Sequence, residues 1–232
     1  MKSKPVIQFA ILAILLAGNA VAQQTGLCGN AFVNPFGWGP FDYLNPIDHA
    51  TKENIPTLEK HHFNINVQMG RSQGQTGSIL GDLRFILRAC PNHHPALNVL
   101  IKYHVRNQPL VPPTESVSCY LERASQFNPE DGMVYMLKGI YLARTGKNEQ
   151  ALTAYQRGLE LVPDAADLHY NVGLLYAELG RLEKANEHAV RAYTLGAQLP
   201  GLKRKLIRLD AWNPDIATSA EVTATDHEEE SQ

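Results

Sequence analysis

Two stretches of this chain match at one constant offset: Gly139, Gly146, Ala151 and Gly158 fall in register with Gly173, Gly180, Ala185 and Ala192. The period, about 34 residues, is the length of one helical hairpin. Such a hairpin cannot bury its apolar face alone, so it must stack on a copy of itself. The period therefore points to an all-α stack before any single residue is considered.

The two windows begin at Gly132 and Ala166. Each places a large residue fourth (Tyr135, His169), a small one eighth (Gly139, Gly173) and a turn glycine fifteenth (Gly146, Gly180), with small residues at the twentieth and twenty-seventh places. In this pattern the chain resembles the tetratricopeptide repeat. The spacing has a physical reason: small residues at Gly139/Ala151 and Gly173/Ala185 let antiparallel helices approach, Tyr155 and Tyr176 fill the adjoining gaps, and Gly146 and Gly180 supply the positive φ of the turn. A degenerate third copy lies upstream, with Ala124 and Pro129 placed one period before Gly158 and Pro163. Its first helix is ALNVLIKYHVR from Ala96, and a long loop with Pro109, Pro112 and Pro113 joins the pair. The resemblance implies a helical-hairpin superhelix with repeats at about 95–129, 132–165 and 166–199, inside a helical domain of 76–212.

At the N-terminus, Lys2 and Lys4 precede an apolar run from Val6 to Ala17 and then Ala20-Val21-Ala22. A charged start, a short apolar stretch and a small-x-small site read as a secretory signal peptide over 1–22, cleaved after Ala22. An uncleaved anchor is the alternative, although the run is short for a membrane span. We therefore expect a periplasmic protein, or a secreted one, with no membrane insertion after cleavage. Losing two lysines takes the formal charge from −2 to −4. That balance points away from nucleic acid. Residues 213–232, with Glu221, Asp226, Glu228, Glu229 and Glu230 and little large apolar content, read as a disordered acidic tail.

Cys28, Cys90 and Cys119 remain after export. An oxidising compartment favours one disulfide and one free thiol. Cys28 to Cys119 is the preferred pair because it would tie an irregular segment to a repeat helix. Cys90 to Cys119 is the competitor, and three reduced, packed thiols are the alternative.

Residues 23–75 combine Gly, Pro, Asn and aromatics without a sustained period, so they read as an irregular segment. Phe32, Phe36, Trp38, Phe41 and Tyr43 are too many rings for a solvated linker, which makes the segment a strap packed on the body, with a partner-binding arm as the alternative. HFNINVQM from His62 alternates and reads as one extended strand. SILGDLRFILRAC reads as a helix capped by Ser78; Pro91 ends it, and Asn92 is the expected cap of the next helix, from His93 to Arg106. Pro200-Gly201 opens a terminal helix over 201–211 with Leu202, Leu206 and Leu209 on its apolar side. The motifs GPFDY, HHF, GDLRFILRACPNHHPAL and AYTLGAQLPGLKRKL are similar to those of exported proteobacterial tetratricopeptide proteins, a group that adds no function.

Three kinds of chemistry come into question. GRSQG at Gly70–Gly74 is formally a nucleophile motif around Ser72, but that motif needs a strand, a following helix and a sheet, so a flexible loop is the better reading. His61, His62, His93, His94 and His104 lie close to Cys90 in sequence and raise a metal- or redox-linked alternative, which Pro91 interrupts. The resemblance offers a third course. In tetratricopeptide proteins the second, fifth, ninth and twelfth places of each first helix line the inner groove. Here those are Met133, Met136, Ile140 and Ala143, then Asp167, Tyr170, Leu174 and Ala177, with Asn171 beside them. That surface is largely apolar and suits an amphipathic helix or an extended apolar peptide. The chain's own strap or terminal helix is the competing occupant. The expectation is a non-enzymatic scaffold for a protein or peptide partner, with no metal and no cofactor.

Overall fold

The computed structural model describes residues 28–35, 37–71 and 75–215. Among them are eleven α-helices and no strand: α1 (Pro46–Ala50), α2 (Ile55–His62), α3 (Ile65–Gln68), α4 (Ile79–Ala89), α5 (His94–Asn107), α6 (Val117–Phe127), α7 (Gly132–Arg144), α8 (Asn148–Leu161), α9 (Ala166–Glu178), α10 (Leu182–Thr194) and α11 (Gly201–Arg208). A single 3-10 turn, Pro113–Glu115, leads into α6. The expected signal peptide, Phe36, Ser72 and most of the expected acidic tail lie outside the described residues.

The repeats α7–α8 and α9–α10 are closed in the same way. Gly146 and Gly180 sit at φ +76° and +70°. Past them, Lys147 N–H donates to Leu142 O and Arg181 N–H to Tyr176 O, each at 2.9 Å. This six-to-one bond over a left-handed residue satisfies the last carbonyls of α7 and α9, and the two copies lie one repeat apart. Within the first hairpin, a Cβ on Gly139 would lie 2.3 Å from the Tyr155 ring. The missing side chain at Gly139 is therefore the space that Tyr155 fills. Ala151, Ala185, Ala189 and Ala192 are fully buried where helices meet.

Three apolar clusters follow one another along the stack. The first gathers Phe41, Ile55, Leu58, Leu83, Leu97, Leu121 and Leu137 from the strap through α7. The second, with Met136, Tyr155, Leu168 and Leu175, lies between the two hairpins. The third joins Tyr170, Ala177 and Ala189 to Leu202 and Leu206, so α11 caps the open end. A repeat end without a cap would expose that face. Leu209 departs from the sequence reading: α11 stops at Arg208, and Leu209 is 43% exposed.

The segment before α4 is more ordered than its composition suggests, because Asn residues start its helices. Asn45 accepts from Ile47 N–H at 3.0 Å, and Asn64 accepts from Asn66 and Val67 at 3.0 and 3.2 Å. The expected strand from His62 is thus the end of α2 followed by α3. Phe63 and Val67, four apart, are buried, while Ile65 is exposed, which is helical spacing. A lone strand has no ladder to satisfy its backbone, and a capped turn satisfies it locally. At the α4–α5 junction Ser78 caps α4 by accepting from Gly81 N–H at 2.9 Å, but His93 rather than Asn92 caps α5, its Nδ1 accepting from Ala96 N–H at 3.1 Å.

Asn92 instead ties the strap to the body. Its Oδ1 accepts from Tyr43 N–H at 3.0 Å, and its Nδ2 donates to Asp42 at 2.7 Å and to Asp131 at 3.0 Å. Asp131 is in turn the cap of α7, accepting from Met133 N–H at 3.1 Å. The strap's Phe41 N–H donates to Ala89 O at 2.7 Å, and the rings of Trp38 and Phe41 meet edge-on at 5.2 Å. A disulfide joins Cys28 to Cys119 on α6, with Cα atoms 5.0 Å apart.

Candidate functional site

The inner helices α7 and α9 leave a cleft of about 200 Å³ between them, lined by Ile140, Ala143, Arg144, Tyr155, Asn171, Leu174, Leu175 and Glu178. Four of the residues expected at the groove meet there: Ile140, Ala143 and Leu174 from the spaced set, and Asn171 beside them. The others do not. Met136 is buried between the hairpins, where Asn171 Nδ2 donates to its sulfur at 3.8 Å, and Met133 packs half-buried against the same cluster. Tyr170 and Ala177 are buried in the cluster that α11 completes, and a Cβ on Gly201 would stand 2.6 Å from the Tyr170 hydroxyl. The terminal helix, not a partner, therefore occupies part of the expected surface. The strap lies elsewhere, against the first cluster.

Sequence spacing misses Arg144 and Glu178. They hold equivalent thirteenth places in α7 and α9, one residue past the last position assigned to the groove. Reading one step further along each helix finds them. They give the cleft one positive and one negative charge beside its apolar floor, so it is more polar than the largely apolar surface expected. Asn171 is held in place by donating to Asp167 O at 2.7 Å.

The histidines do not assemble around Cys90. His62 pairs with Asp82 at 2.9 Å, His93 with Glu59 at 3.0 Å, and His94 with Asp131 at 2.7 Å. Because His93 Nδ1 accepts from Ala96, its Nε2 carries the proton that Glu59 accepts. Burial pulls the His93 pKa down, and the hydrogen bond from His93 lowers that of Glu59. Cys90 is fully buried, 3.9 Å from Asn92 Oδ1, and burial pushes its thiol well above the ordinary range. A thiol held neutral is a poor nucleophile and a poor metal ligand. Among the described residues no three His, Cys, Asp or Glu side chains come together as a metal site.

A histidine–histidine pair lies in the α9–α10 repeat, and it sets a pH dependence. His169 Nε2 donates to Pro163 O at 2.8 Å, which leaves its Nδ1 to accept from His188 Nδ1 at 3.0 Å. His169 must be neutral for this arrangement, because its Nδ1 accepts while its Nε2 donates. Burial, then His169 and Lys184, push the His188 pKa down to about 4. A histidine depressed in the folded state is fully stabilising above its unfolded pKa, and that stability is lost as pH falls towards the folded value. Thermal unfolding should therefore show a loss between pH 6.5 and pH 4 to which His188 contributes on the order of 2 kcal/mol, so that His188→Gln flattens the profile by about that amount. An unchanged profile in the variant would contradict this linkage.

Comparison with known proteins agrees with this architecture. A family model described as a TPR repeat matches residues 140–180. The peroxisomal targeting signal receptor of Candida glabrata is 29% identical over 80 residues, 34% of this chain and 13% of the receptor. That of Saccharomyces cerevisiae is 30% identical over 71 residues, 31% of this chain and 11% of the receptor. Human cilia- and flagella-associated protein 70 is 28% identical over 109 residues, 44% of this chain and 9% of that protein. The chain thus spans only a small fraction of these curated relatives. A thermophilic TPR protein of Thermus thermophilus aligns in structure with a TM-score of 0.45 at 19% identity, covering 56% of this chain and 71% of its own. The family match over 140–180 falls on hairpins that close identically one period apart, so α7–α8 and α9–α10 are tetratricopeptide repeats.

Proposed function

We propose that the protein is a non-enzymatic scaffold of the cell envelope that binds a polypeptide segment in the cleft between α7 and α9. The observation that carries this reading is the cleft itself: Ile140, Ala143 and Leu174 offer an apolar floor, and Arg144, Asn171 and Glu178 offer polar groups at fixed positions. At about 200 Å³ it accommodates one or two anchoring side chains rather than a whole helix. The relatives named as receptors for a targeting signal support a short peptide as the ligand. Tetratricopeptide repeat proteins are in general interaction scaffolds rather than enzymes, and the buried, neutral Cys90 offers no reactive centre.

Ala143→Arg tests this directly. Ala143 is half-buried on the cleft wall, so a guanidinium there fills the space while its charged end reaches water. Capture of a polypeptide partner from an envelope extract should fall at least about tenfold, with stability changed by less than about 1 kcal/mol. Unaltered capture by a folded variant would remove the cleft from the account.

Export is the second part of the proposal. The apolar run from Val6 to Ala17, followed by Ala20-Val21-Ala22, directs cleavage after Ala22, and a Cys28–Cys119 disulfide suits an oxidising compartment. Intact-mass measurement of the exported protein should give a chain beginning at Gln23. A chain retaining Met1 to Ala22 would contradict it.

A further inference from the structure

Away from the cleft, α6 holds a cation that has no ion pair among the described residues. Arg123 is 4% exposed. Its Nη1 donates to Asn30 O at 2.7 Å and to Cys28 O at 3.5 Å, two neutral carbonyls of the strap. Among the described residues its Nε and Nη2 are buried without a partner, and so is the hydroxyl of Tyr120, one turn earlier on the same helix. Arg84 on α4 is neutralised by Glu115 at 2.5 Å, whereas Arg88 on the same helix has no ion pair among the described residues. Burial disfavours the charge on Arg123, and the nearby Arg88 acts in the same direction. The Tyr120 hydroxyl lies in the field of Arg88, then of the Glu115 carboxylate that pairs with Arg84, and then of Arg84 and Arg123.

Buried ions are ordinarily paired, because an unpaired one forfeits its hydration. The open groups on Arg123 are also of a particular kind. Nε–H and Nη2–H lie along one edge of the guanidinium and point the same way, the fork that takes two oxygens of a carboxylate or phosphate. Its opposite end is fixed by Asn30 O, so the fork is already oriented. Tyr120 supplies a third donor, and Arg88 a second positive charge.

We propose that Arg123, Tyr120 and Arg88 form an oxyanion-binding site between α4, α6 and the N-terminal strap. A carboxylate or phosphate group accepts from the Arg123 fork and the Tyr120 hydroxyl and balances the local positive charge. Arg123 also holds the carbonyl of Cys28, and Cys119 stands one turn earlier on α6. Occupancy therefore tightens the strap where the disulfide anchors it. This site is separate from the α7–α9 cleft and needs no partner there.

The test uses the full oxidised chain with sodium phosphate, sodium sulfate and sodium acetate, each against sodium chloride at matched ionic strength. At least one oxyanion should raise the melting temperature saturably and bind one-to-one by calorimetry. Phosphate or sulfate acting alone identifies a tetrahedral oxyanion, and acetate acting identifies a carboxylate. Arg123→Met should abolish the saturable effect, and Tyr120→Phe should weaken binding by about tenfold. Should Arg123→Met fail to fold, Tyr120→Phe and Arg88→Met carry the comparison. No saturable effect of any oxyanion on the wild-type chain would overturn the proposal, as would wild-type affinity in a folded Arg123→Met.

Discussion

Gly139→Leu is expected to destabilise the protein by about 3 kcal/mol, the upper end for overpacking a core. Even a single Cβ at Gly139 would lie 2.3 Å from the ring of Tyr155. That ring is rigid and buried to 3% exposure between the hairpins. The added side chain must therefore separate α7 from α8. Gly173→Leu meets the methyl end of Leu202 at 2.6 Å and the carbonyl of Ala185 at 3.2 Å, so it should also destabilise, though less, because Leu202 can rotate aside. Urea unfolding of both variants measures the difference. A loss below about 0.5 kcal/mol at Gly139 would mean that the two helices do not meet there.

Loss of the disulfide should have the second large effect. Cys28 and Cys119 are 91 residues apart, and cross-linking a loop of that size stabilises by about 4 kcal/mol in the chain-entropy model. The double substitution Cys28→Ser with Cys119→Ser should therefore lower stability by about 4 kcal/mol. It should also release the strap first, since Arg123 and the Phe32–Phe127 ring contact at 5.6 Å are its other fastenings there. Non-reducing peptide mapping of the wild-type chain checks the premise. A bridge containing Cys90 would overturn it, and Cys90, fully buried beneath the strap, is the thiol that should resist alkylation.

The repeats are legible in sequence because their signals are local and periodic. Gly146 and Gly180 mark the turns by a backbone requirement that few other residues meet, and Gly139 marks a close approach. The strap is not, because its order comes from partners far away in sequence. Asn92 has the look of a helix cap, yet its amide is taken by Tyr43, Asp42 and Asp131, contacts of 49, 50 and 39 residues' separation. The false strand from His62 has a different origin: Phe63, Ile65 and Val67 alternate in sequence, and only the Asn64 cap decides for a helix. At the candidate site, spacing locates the correct face of α7 and α9 but cannot tell its open part from its covered part. Tyr170 and Ala177 satisfy the same pattern as Ile140 and Ala143. They are buried because α11 returns over the second repeat, and no residue within the repeat records that.

The claim that the α7–α9 cleft is the binding surface is tested most directly by site-specific photocrosslinking. A photoreactive phenylalanine analogue at Leu174, inside the cleft, is compared with one at Thr153, exposed on α8. In cells expressing the full chain, the probe at 174 should crosslink to a discrete polypeptide, and the probe at 153 should not. Crosslinks of equal yield from both positions, or from 153 alone, would contradict the account.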